Sequence, residues 1–240
     1  ESAWQGKDGL WHGKINHCTQ EVIELTDYCR AKQIPIVFWN KEDPVYTDTF
    51  IKTARHADIV FTTDLECIQK YKTELGHDQV YHLHFGAQPA VHNPIEKYDR
   101  KDKFCFAGAY YHRYQDRCRV FDAFSDYFIE SKGFDIFDRN YQNARPEHKF
   151  PDRYDPYILG RLEPSEIDLA YKGYVFGINM NSITNSQTMF ARRVFELMAS
   201  NTLVVGNYSR GVKNYFGDLT ICTDDEKTLR STLAPYWADE

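Results

Sequence analysis

The chain has 240 residues, 42% of them hydrophobic and 27% charged, which are the proportions of a soluble globular protein long enough to bury a core. A formal net charge of −6 argues against a nucleic-acid partner, whose binding surface would need an excess of basic residues. No apolar run approaches the roughly eighteen residues of a membrane span. Six cysteines without a CxxC pair indicate free thiols in a reducing cytoplasm.

The first third of the chain alternates predicted helices and strands. Its elements are, in order, a helix within 17–32, a strand at 34–40, a helix around 45–56, a strand at 57–63, a helix ending near 75 and a strand at 79–85. The run IPIVFWN is almost continuously apolar, which is typical of a strand buried on both faces. This alternation predicts a parallel sheet. The start on ESAWQGK, without an initiator Met or an opening strand, suggests a fragment of a longer protein.

A break in this pattern at 86–102 contains Gly and Pro, has no periodicity and ends in a run of charges, so we interpret it as a linker between two lobes. Beyond it, the segment 103–113 contains a predicted strand that ends on Gly108. The next predicted elements are a helix at 117–131, a strand at 134–137, a long loop at 138–157, a short helix at 165–173 and a strand at 174–180. A loop at 181–187 then leads to a helix, a strand at 202–207, a short helix at 211–218 and a final strand and helix within 219–233. The chain therefore reads as two α/β units, 1–95 and 96–240, the first lacking its opening strands.

The helix after the 181–187 loop carries Arg192, Arg193 and Glu196 away from its apolar side. Thr188 or Ser186 is placed to cap its first turn. One interpretation is a solvated Arg192–Glu196 pair, worth only about 0.3–0.5 kcal/mol and in the less favourable order for a helix. The other is a ligand site, because arginines near a helix N-terminus oppose the helix dipole and a bound anion removes that conflict.

A diphosphate fits the second interpretation. Its oxygens would bind the free amides that follow Asn181–Thr188, and Arg192 or Arg193 would neutralise its charge. Glu196 would then accept hydrogen bonds from vicinal hydroxyls such as those of a ribose. The residues alone therefore favour nucleotide binding over a surface network.

The stretch SQTMFARRVFELMASNTLVVGNYSRGVKNYFGDL resembles the donor-binding region of the CgeB/YkvP-type glycosyltransferases. Earlier segments, among them IPIVFWNKEDPVYTDTF and FCFAGAYYHR, resemble the same family in order and spacing. The resemblance covers nearly the whole chain. It implies two Rossmann-like lobes of the GT-B type, with 1–95 as the C-terminal part of the acceptor lobe and 96–240 as the donor lobe.

The resemblance also implies an activity. A hexose would move from a nucleoside-diphosphate donor, with UDP as the expected nucleotide, to a hydroxyl of a glycan, a polyol polymer or a protein in bacterial cell-surface, spore or protein glycosylation. Neither a cofactor nor a bound metal is expected. The expected partners are the two substrates and, for a fragment, the missing N-terminal segment or a larger polypeptide.

Several site residues follow from the resemblance. Glu196 would hold the ribose hydroxyls, and the turn at Gly108 would let the backbone approach the phosphates. The diphosphate would lie in the loop that contains Asn181, Ser186, Gln187 and Thr188. Many retaining relatives carry two glutamates separated by seven residues, and Thr188 occupies the position of the first. A hydroxyl lacks the charge of a carboxylate, so the sugar and the stereochemical outcome stay open.

Further candidates follow other strands. Glu42 or Asp43, just after a buried strand, is placed to act as a general base on an acceptor hydroxyl, and Glu42 is the one we predict. A polar turn with Asp43 before Pro44 explains the same residues. Tyr110 and Arg113 follow the Gly108 turn. Arg113 is placed to meet a phosphate or to lie in water, and it clusters with Arg117 and Arg119 as a small anion site.

A pair of histidines, His82 and His84, alternates on one predicted strand and shares a face, as metal ligands do. No third ligand lies nearby in sequence, so we expect no metal there. A non-catalytic nucleotide-sugar or glycan-binding module is the main alternative function. A dinucleotide-dependent Rossmann enzyme is disfavoured, because no GxGxxG follows a predicted strand.

Overall fold

A computed structural model of the protein describes residues 10–142 and 145–237. The chain forms two compact units. The first runs to Phe85 and includes Ser186–Met189, whereas the second comprises Gly86–Asn185 and the chain from Phe190 onward. The division therefore falls before the predicted linker, and not between residues 95 and 96.

The linker segment belongs to the second unit because its side chains and backbone are bound there. Arg100 donates hydrogen bonds to the carbonyl of Ser200 (2.7 Å) and the hydroxyl of Thr202 (2.8 Å). Lys172, which is buried, donates to the Asn93 side chain at 2.7 Å. A segment tied down in this way is part of a folded unit, since its polar groups are satisfied within it.

The first unit is a three-stranded parallel sheet with helices. Its elements are α1 (Leu10–His17), α2 (Gln20–Ala31), β1 (Val37–Asn40), α3 (Thr47–Ala54), β2 (Ile59–Thr62), α4 (Ile68–Leu75) and β3 (Val80–His82). The strand order is β1-β2-β3 and both pairings are parallel, as the β-α-β-α-β pattern predicted.

The two faces of this sheet differ. Phe38, Val60 and Val80 pack against the apolar sides of α3 and α4. On the other face, Val37 is 55% exposed and Trp39 is 36% exposed. The prediction that this strand is buried on both faces is therefore wrong for the described residues, because α3 and α4 cover only the face that carries Phe38.

The second unit is a six-stranded parallel sheet covered on both faces. Its elements are β4 (Lys101–Gly108), α5 (Gln115–Ser131), β5 (Phe134–Asp138), β6 (Ile158–Gly160), α6 (Ile167–Lys172), β7 (Tyr174–Asn179), α7 (Arg193–Ala199), β8 (Leu203–Gly206), α8 (Arg210–Phe216), β9 (Ile221–Cys222) and α9 (Glu226–Leu233). Strand β6 was not predicted, and it is only three residues long. Nowhere in 10–142 or 145–237 is a helix both long and apolar enough to cross a bilayer.

Alternation along β4 explains how this sheet is buried. Phe104 and Phe106 belong to the aromatic core that includes residues of α5, whereas Cys105 and Ala107 pack with residues of α6 and α7 on the other face. A strand with apolar side chains on both faces needs cover on both sides, which is why its buried part, residues 104–108, is a continuous apolar run.

The strand order of the second sheet is β6-β5-β4-β7-β8-β9, so the chain reverses direction across the sheet between β4 and β7. Connections from β4 lead away on one side, and those from β7 on the other. Such a reversal leaves a crevice at the carboxyl ends of the two strands, and open α/β sheets bind ligands there. A ligand site is therefore expected among the residues that follow Gly108 and Asn179.

Candidate functional site

Arg117, on the first turn of α5, lies at this crevice. Its Nη2 donates to the carbonyl of Ala109 (3.1 Å), just after β4, and its Nε donates to that of Met180 (3.4 Å), just after β7. The residue is only 6% exposed, and among the described residues it has no carboxylate partner. Burial and the nearby Arg193 lower the pKa of Arg117 to about 10. A buried cation without a counterion is costly, so this position suits an anionic ligand.

A cavity of about 530 Å³ opens beside Arg117 and is lined by residues of the second unit. Two further arginines, Arg113 and Arg119, line it as well. Asn181 and Asn207, which follow β7 and β8, contribute amides. This volume lies in the range of small-molecule sites, and its lining combines the three arginines with hydrogen-bonding groups and two carboxylates, those of Asp116 and Asp224.

The two asparagines hold the rim of the cavity in place. The amide N–H of Asn181 donates to Oδ1 of Asn207 (2.7 Å), and Nδ2 of Asn207 returns a hydrogen bond to the carbonyl of Asn181 (3.0 Å). Both residues are buried. Reciprocal bonds of this kind fix the two loops relative to each other, so the cavity is preformed on this side.

Gly108 leaves room for a guanidinium. A Cβ at this position would lie 2.6 Å from Cζ of Phe106 and 3.0 Å from Nη2 of Arg193. The guanidinium of Arg193 packs over the Phe106 ring at 5.2 Å, and its Nε has no hydrogen-bond partner among the described residues. The glycine was predicted for close approach of a phosphate; in the structure the space beside it holds Arg193.

Glu196 is buried in α7 with only 5% of its surface exposed. Its Oε1 pairs with Nε of Arg192 (2.6 Å), and its Oε2 accepts a hydrogen bond from the Tyr171 hydroxyl (2.9 Å). The solvated surface pair considered from the sequence is therefore not what forms, because the carboxylate lies inside the unit. Tyr171 was not singled out in the sequence, since a tyrosine on a short helix carries no signal of its own.

The helix that carries Glu196 begins later than predicted. It starts at Arg193, so Ser186 and Thr188 do not cap it. The Ser186 hydroxyl instead accepts from the amides of Thr188 (3.2 Å) and Met189 (2.8 Å). Oδ1 of Asn181 accepts from the amide of residue 191 at 2.8 Å. These amides, predicted to be free for a diphosphate, are thus already satisfied by side chains.

Three predicted donor-site residues, Ser186, Gln187 and Thr188, belong to the first unit. The Thr188 hydroxyl donates to the carbonyl of Thr63 (3.1 Å) and accepts from the amide of Leu65 (3.0 Å). The Gln187 amide donates to the carboxylate of Glu66 at 3.2 Å. These side chains therefore hold the segment on the loop that follows β2.

Tyr110 and Arg113 have different surroundings. The Tyr110 ring is buried in the aromatic core and its hydroxyl donates to Asp122 at 2.9 Å, so it does not line the cavity. Burial and this bond raise the pKa of the Tyr110 phenol. Arg113 is exposed, lines the cavity and lies over the Tyr114 ring at 4.8 Å.

Glu42, the predicted base, is exposed in the first unit. Its neighbour Asp43 is fully buried and accepts hydrogen bonds from Thr62 (2.6 Å) and Thr47 (2.7 Å), among others. Burial raises the pKa of Asp43 to about 6, against the effect of these hydrogen bonds. The sequence put both carboxylates just after β1 and gave no means of telling the buried one from the exposed one.

The two histidines of the first unit lie together. The rings of His82 and His84 meet edge to face at 4.4 Å. Burial lowers both pKa values, that of His84 to about 4. In the part of the chain that the structure describes, no group of three or more His, Cys, Asp or Glu side chains is arranged to hold a metal.

The second unit thus brings together Arg113, Arg117, Asn181 and Arg193 around the crevice between β4 and β7. In the sequence, Arg117 stands out only as one member of a basic cluster. Its role at the crevice depends on the fold, because its two carbonyl partners follow different strands.

No protein-family model matches the sequence, and no curated protein matches it. In fold, the chain is similar to an α,α-trehalose-phosphate synthase (UDP-forming) from Burkholderia vietnamiensis, with a TM-score of 0.51 and 12% identity, over 90% of this chain and 61% of that one. The chain is also similar, more distantly, to TarM, with a TM-score of 0.47 and 9% identity over 86% of this chain and 44% of that one. A further similarity is to the GtfA/B complex, with a TM-score of 0.43 and 9% identity over 91% of this chain and 54% of that one. This chain spans less than two thirds of the length of each. The first likeness confirms the predicted fold of α/β units on parallel sheets.

Proposed function

We propose that the protein is a glycosyltransferase that moves a sugar from a nucleoside-diphosphate donor, UDP-linked, to a hydroxyl acceptor, and that the second unit binds the nucleotide. The fold supports this, since a solved structure that shares it is a UDP-forming synthase. So does the family resemblance of the segment around Glu196. The observation that carries the proposal is Arg117, a buried guanidinium without a counterion beside a cavity at the strand reversal.

A diphosphate is the anion that this arrangement suits. Guanidinium groups bind phosphate oxygens in pairs, through parallel N–H donors. Arg193 lies close enough to Arg117 to lower the pKa of Arg117, and Arg113 lines the same cavity. Several arginines around one site match a ligand that carries more than one negative charge.

These arginines would also drive the chemistry. When the bond between the sugar and the diphosphate breaks, negative charge develops on the leaving phosphate oxygen. Fixed guanidinium groups stabilise that charge without reorganising, which is the main source of rate enhancement in such sites. We propose that Arg117, Arg113 and Arg193 supply this stabilisation, and that the reaction needs no metal.

Glu196 would bind the ribose. Both of its oxygens already have partners, but a carboxylate has about four lone-pair directions and the two contacts use only two of them. The remaining two accept from vicinal hydroxyls. Arg192 and Tyr171 then fix the orientation of the carboxylate, so that little freedom is lost when the nucleotide binds.

The acceptor site is proposed in the first unit. Glu42 remains the proposed base, because it is exposed and follows the carboxyl end of β1. Ser186, Gln187, Thr188 and Tyr110 stay predicted donor-site residues, although their side chains are engaged within their own units.

Calorimetry with UDP tests this proposal. We expect wild-type protein to bind UDP and Arg117→Gln to bind it at least about tenfold more weakly, with Arg117→Lys in between because it keeps the charge without the paired donors. Arg161→Gln, at an exposed arginine of the same unit, is the matched control and should bind normally. Circular dichroism shows whether each variant is folded.

Equal UDP affinity in folded Arg117→Gln and in wild type would overturn the nucleotide site. Hydrolysis of UDP-sugars then separates an enzyme from a binding module. Turnover that depends on Arg117 supports the transferase, whereas UDP binding with no turnover of any UDP-sugar would favour a non-catalytic module.

A further inference from the structure

His92, in the 86–102 segment at the start of the second unit, is buried with only 9% of its surface exposed. Its Nδ1 accepts a hydrogen bond from the backbone amide of Gln88 at 3.0 Å. An imidazole nitrogen that accepts carries no proton, so the neutral ring has its proton on Nε2. That Nε2 is buried and has no hydrogen-bond partner among the described residues. An unsatisfied buried donor is rare and calls for an explanation.

The ring of His92 lies against the residues that hold the proposed ribose ligand. Its centroid is 5.7 Å from that of Tyr171, at an interplanar angle of 46°. The Tyr171 hydroxyl donates to Glu196, whose other oxygen pairs with Arg192. His92, Tyr171, Glu196 and Arg192 thus form one continuous chain of contacts.

The charged groups around His92 come from two helices. Glu196 of α7 and Asp168 of α6 favour protonation of the ring, whereas Lys172 of α6 and burial oppose it. Burial is the largest influence, so the pKa of His92 is lowered and the ring is neutral near pH 7. Of the two carboxylates, Glu196 acts on the ring more strongly than Asp168 does, so Glu196 is the one that a protonated His92 would attract.

We propose that His92 is a positioning residue for Glu196. The neutral ring packs on Tyr171 and leaves the Glu196 carboxylate free for the ribose hydroxyls. The protonated ring draws the carboxylate toward itself and so weakens nucleotide binding. This rests on the proposed function, because it assumes that Glu196 binds the nucleotide.

The direction of the effect follows from the lone pairs of Glu196. Two are used by Arg192 and Tyr171 in the structure. Glu196 is close enough for its charge to act on the His92 ring, and Nε2 of that ring has no partner in the described part of the chain. A cationic Nε2–H that reached the carboxylate would be a third strong donor, and charge-assisted hydrogen bonds outcompete those from neutral hydroxyls. The ribose would lose its acceptors, so nucleotide affinity should fall as the solution is acidified through the range in which His92 takes up a proton.

The test compares UDP affinity, measured by calorimetry at about pH 7.5 and about pH 5, in the wild type and in two variants without a titrating ring. His92→Phe keeps an aromatic ring against Tyr171, and His92→Asn keeps an acceptor for the Gln88 amide. His77→Phe is the matched control, since its Nδ1 also accepts a backbone amide, that of Gln79, but in the first unit. Phosphate titration of UDP itself is common to all four proteins and cancels.

We expect acidification to weaken UDP binding about tenfold more in wild type and in His77→Phe than in either His92 variant, as one pKa unit of coupling requires. A merely structural role would instead lower the affinity of the His92 variants equally at both pH values, and that result would overturn the inference. So would a pH dependence that the variants retain. If UDP binding depends on Glu196 and Arg117 but not on His92, the proposed function stands and this inference fails; if UDP does not bind wild type at all, both fail.

Discussion

Arg192 and Glu196 form an ion pair in which only one member is buried. Nε of Arg192 lies 2.6 Å from Oε1 of Glu196, and the carboxylate is 6% exposed while the arginine side chain is 37% exposed. An exposed pair at this spacing contributes little to stability. A buried carboxylate depends on its partners, since removal of a partner leaves a charge without compensation. The pair therefore holds Glu196 at its position in α7.

Replacing Glu196 with Gln tests both roles of this carboxylate. The variant keeps the shape and an acceptor for Tyr171 but loses the charge that pairs with Arg192. We expect a loss of about 1–3 kcal/mol in the free energy of unfolding, because the pair is half-exposed on one side. UDP affinity should fall at least about tenfold, since amide oxygens bind hydroxyl donors more weakly than carboxylates do. Urea unfolding and calorimetry measure the two effects, and unchanged UDP affinity would remove Glu196 from the proposed nucleotide site.

The raised pKa of Asp43 should make the stability of the first unit depend on pH. Its pKa rises from 3.8 in a solvated chain to about 6 in the folded protein because of burial. A raised folded-state pKa means that the folded state binds the proton more tightly. The stabilisation is complete below about pH 4 and is lost as the pH rises through about 6, a difference of about 3 kcal/mol.

Asp43→Asn should therefore flatten the change in unfolding free energy between about pH 5 and about pH 7.5. Asp48 also follows β1 in the chain, but its carboxylate is exposed, so Asp48→Asn is the control. This variant should show the same change in unfolding free energy with pH as the wild type. Fluorescence-monitored urea unfolding at both pH values provides the comparison. A wild-type slope in Asp43→Asn would show that another group causes it.

Gly108→Ala should disturb the arginine beside the crevice. The added methyl would lie 3.0 Å from Nη2 of Arg193 and 2.6 Å from the Phe106 ring, so one of them must move. We expect a loss of about 1–3 kcal/mol in stability and weaker UDP binding. Gly86→Ala has no atom within 4 Å of the new Cβ and is the matched control. Thermal unfolding that shifts equally in both variants would contradict this account.

Thr188→Val tests the attachment of the 186–189 segment within the first unit. The substitution conserves the side-chain shape but removes the hydroxyl that bonds the Thr63 carbonyl and the Leu65 amide. The Leu65 amide would then lose this acceptor, at a cost of about 1–3 kcal/mol. Hydrogen exchange of the Leu65 amide should accelerate, whereas that of amides in β7 should not. Unchanged protection at Leu65 would show that the bond does not hold the segment.

Much of the fold could be read from periodicity. The apolar run of β4 and the alternation of strands and helices predicted the parallel sheet of the second unit, because strands buried on both faces are predominantly apolar. The same logic failed for β1, since Val37 and Trp39 are as apolar as buried residues and yet lie on an exposed face. Apolar character shows that a side chain can be buried, but it does not show that a neighbour covers it.

The site divides in the same way. The sequence alone identified the candidate residue types. These are arginines after β4, a carboxylate in the helix after β7 and polar residues at the carboxyl ends of strands. Tertiary structure decided which of them meet. Arg117 gains its place by bonding carbonyls after two strands that are adjacent only in the sheet, and Glu196 is buried because Tyr171 and Arg192 satisfy it. The physical reason is that burial and counterion partners are properties of contacts between segments distant in the chain, whereas periodicity and residue type are local.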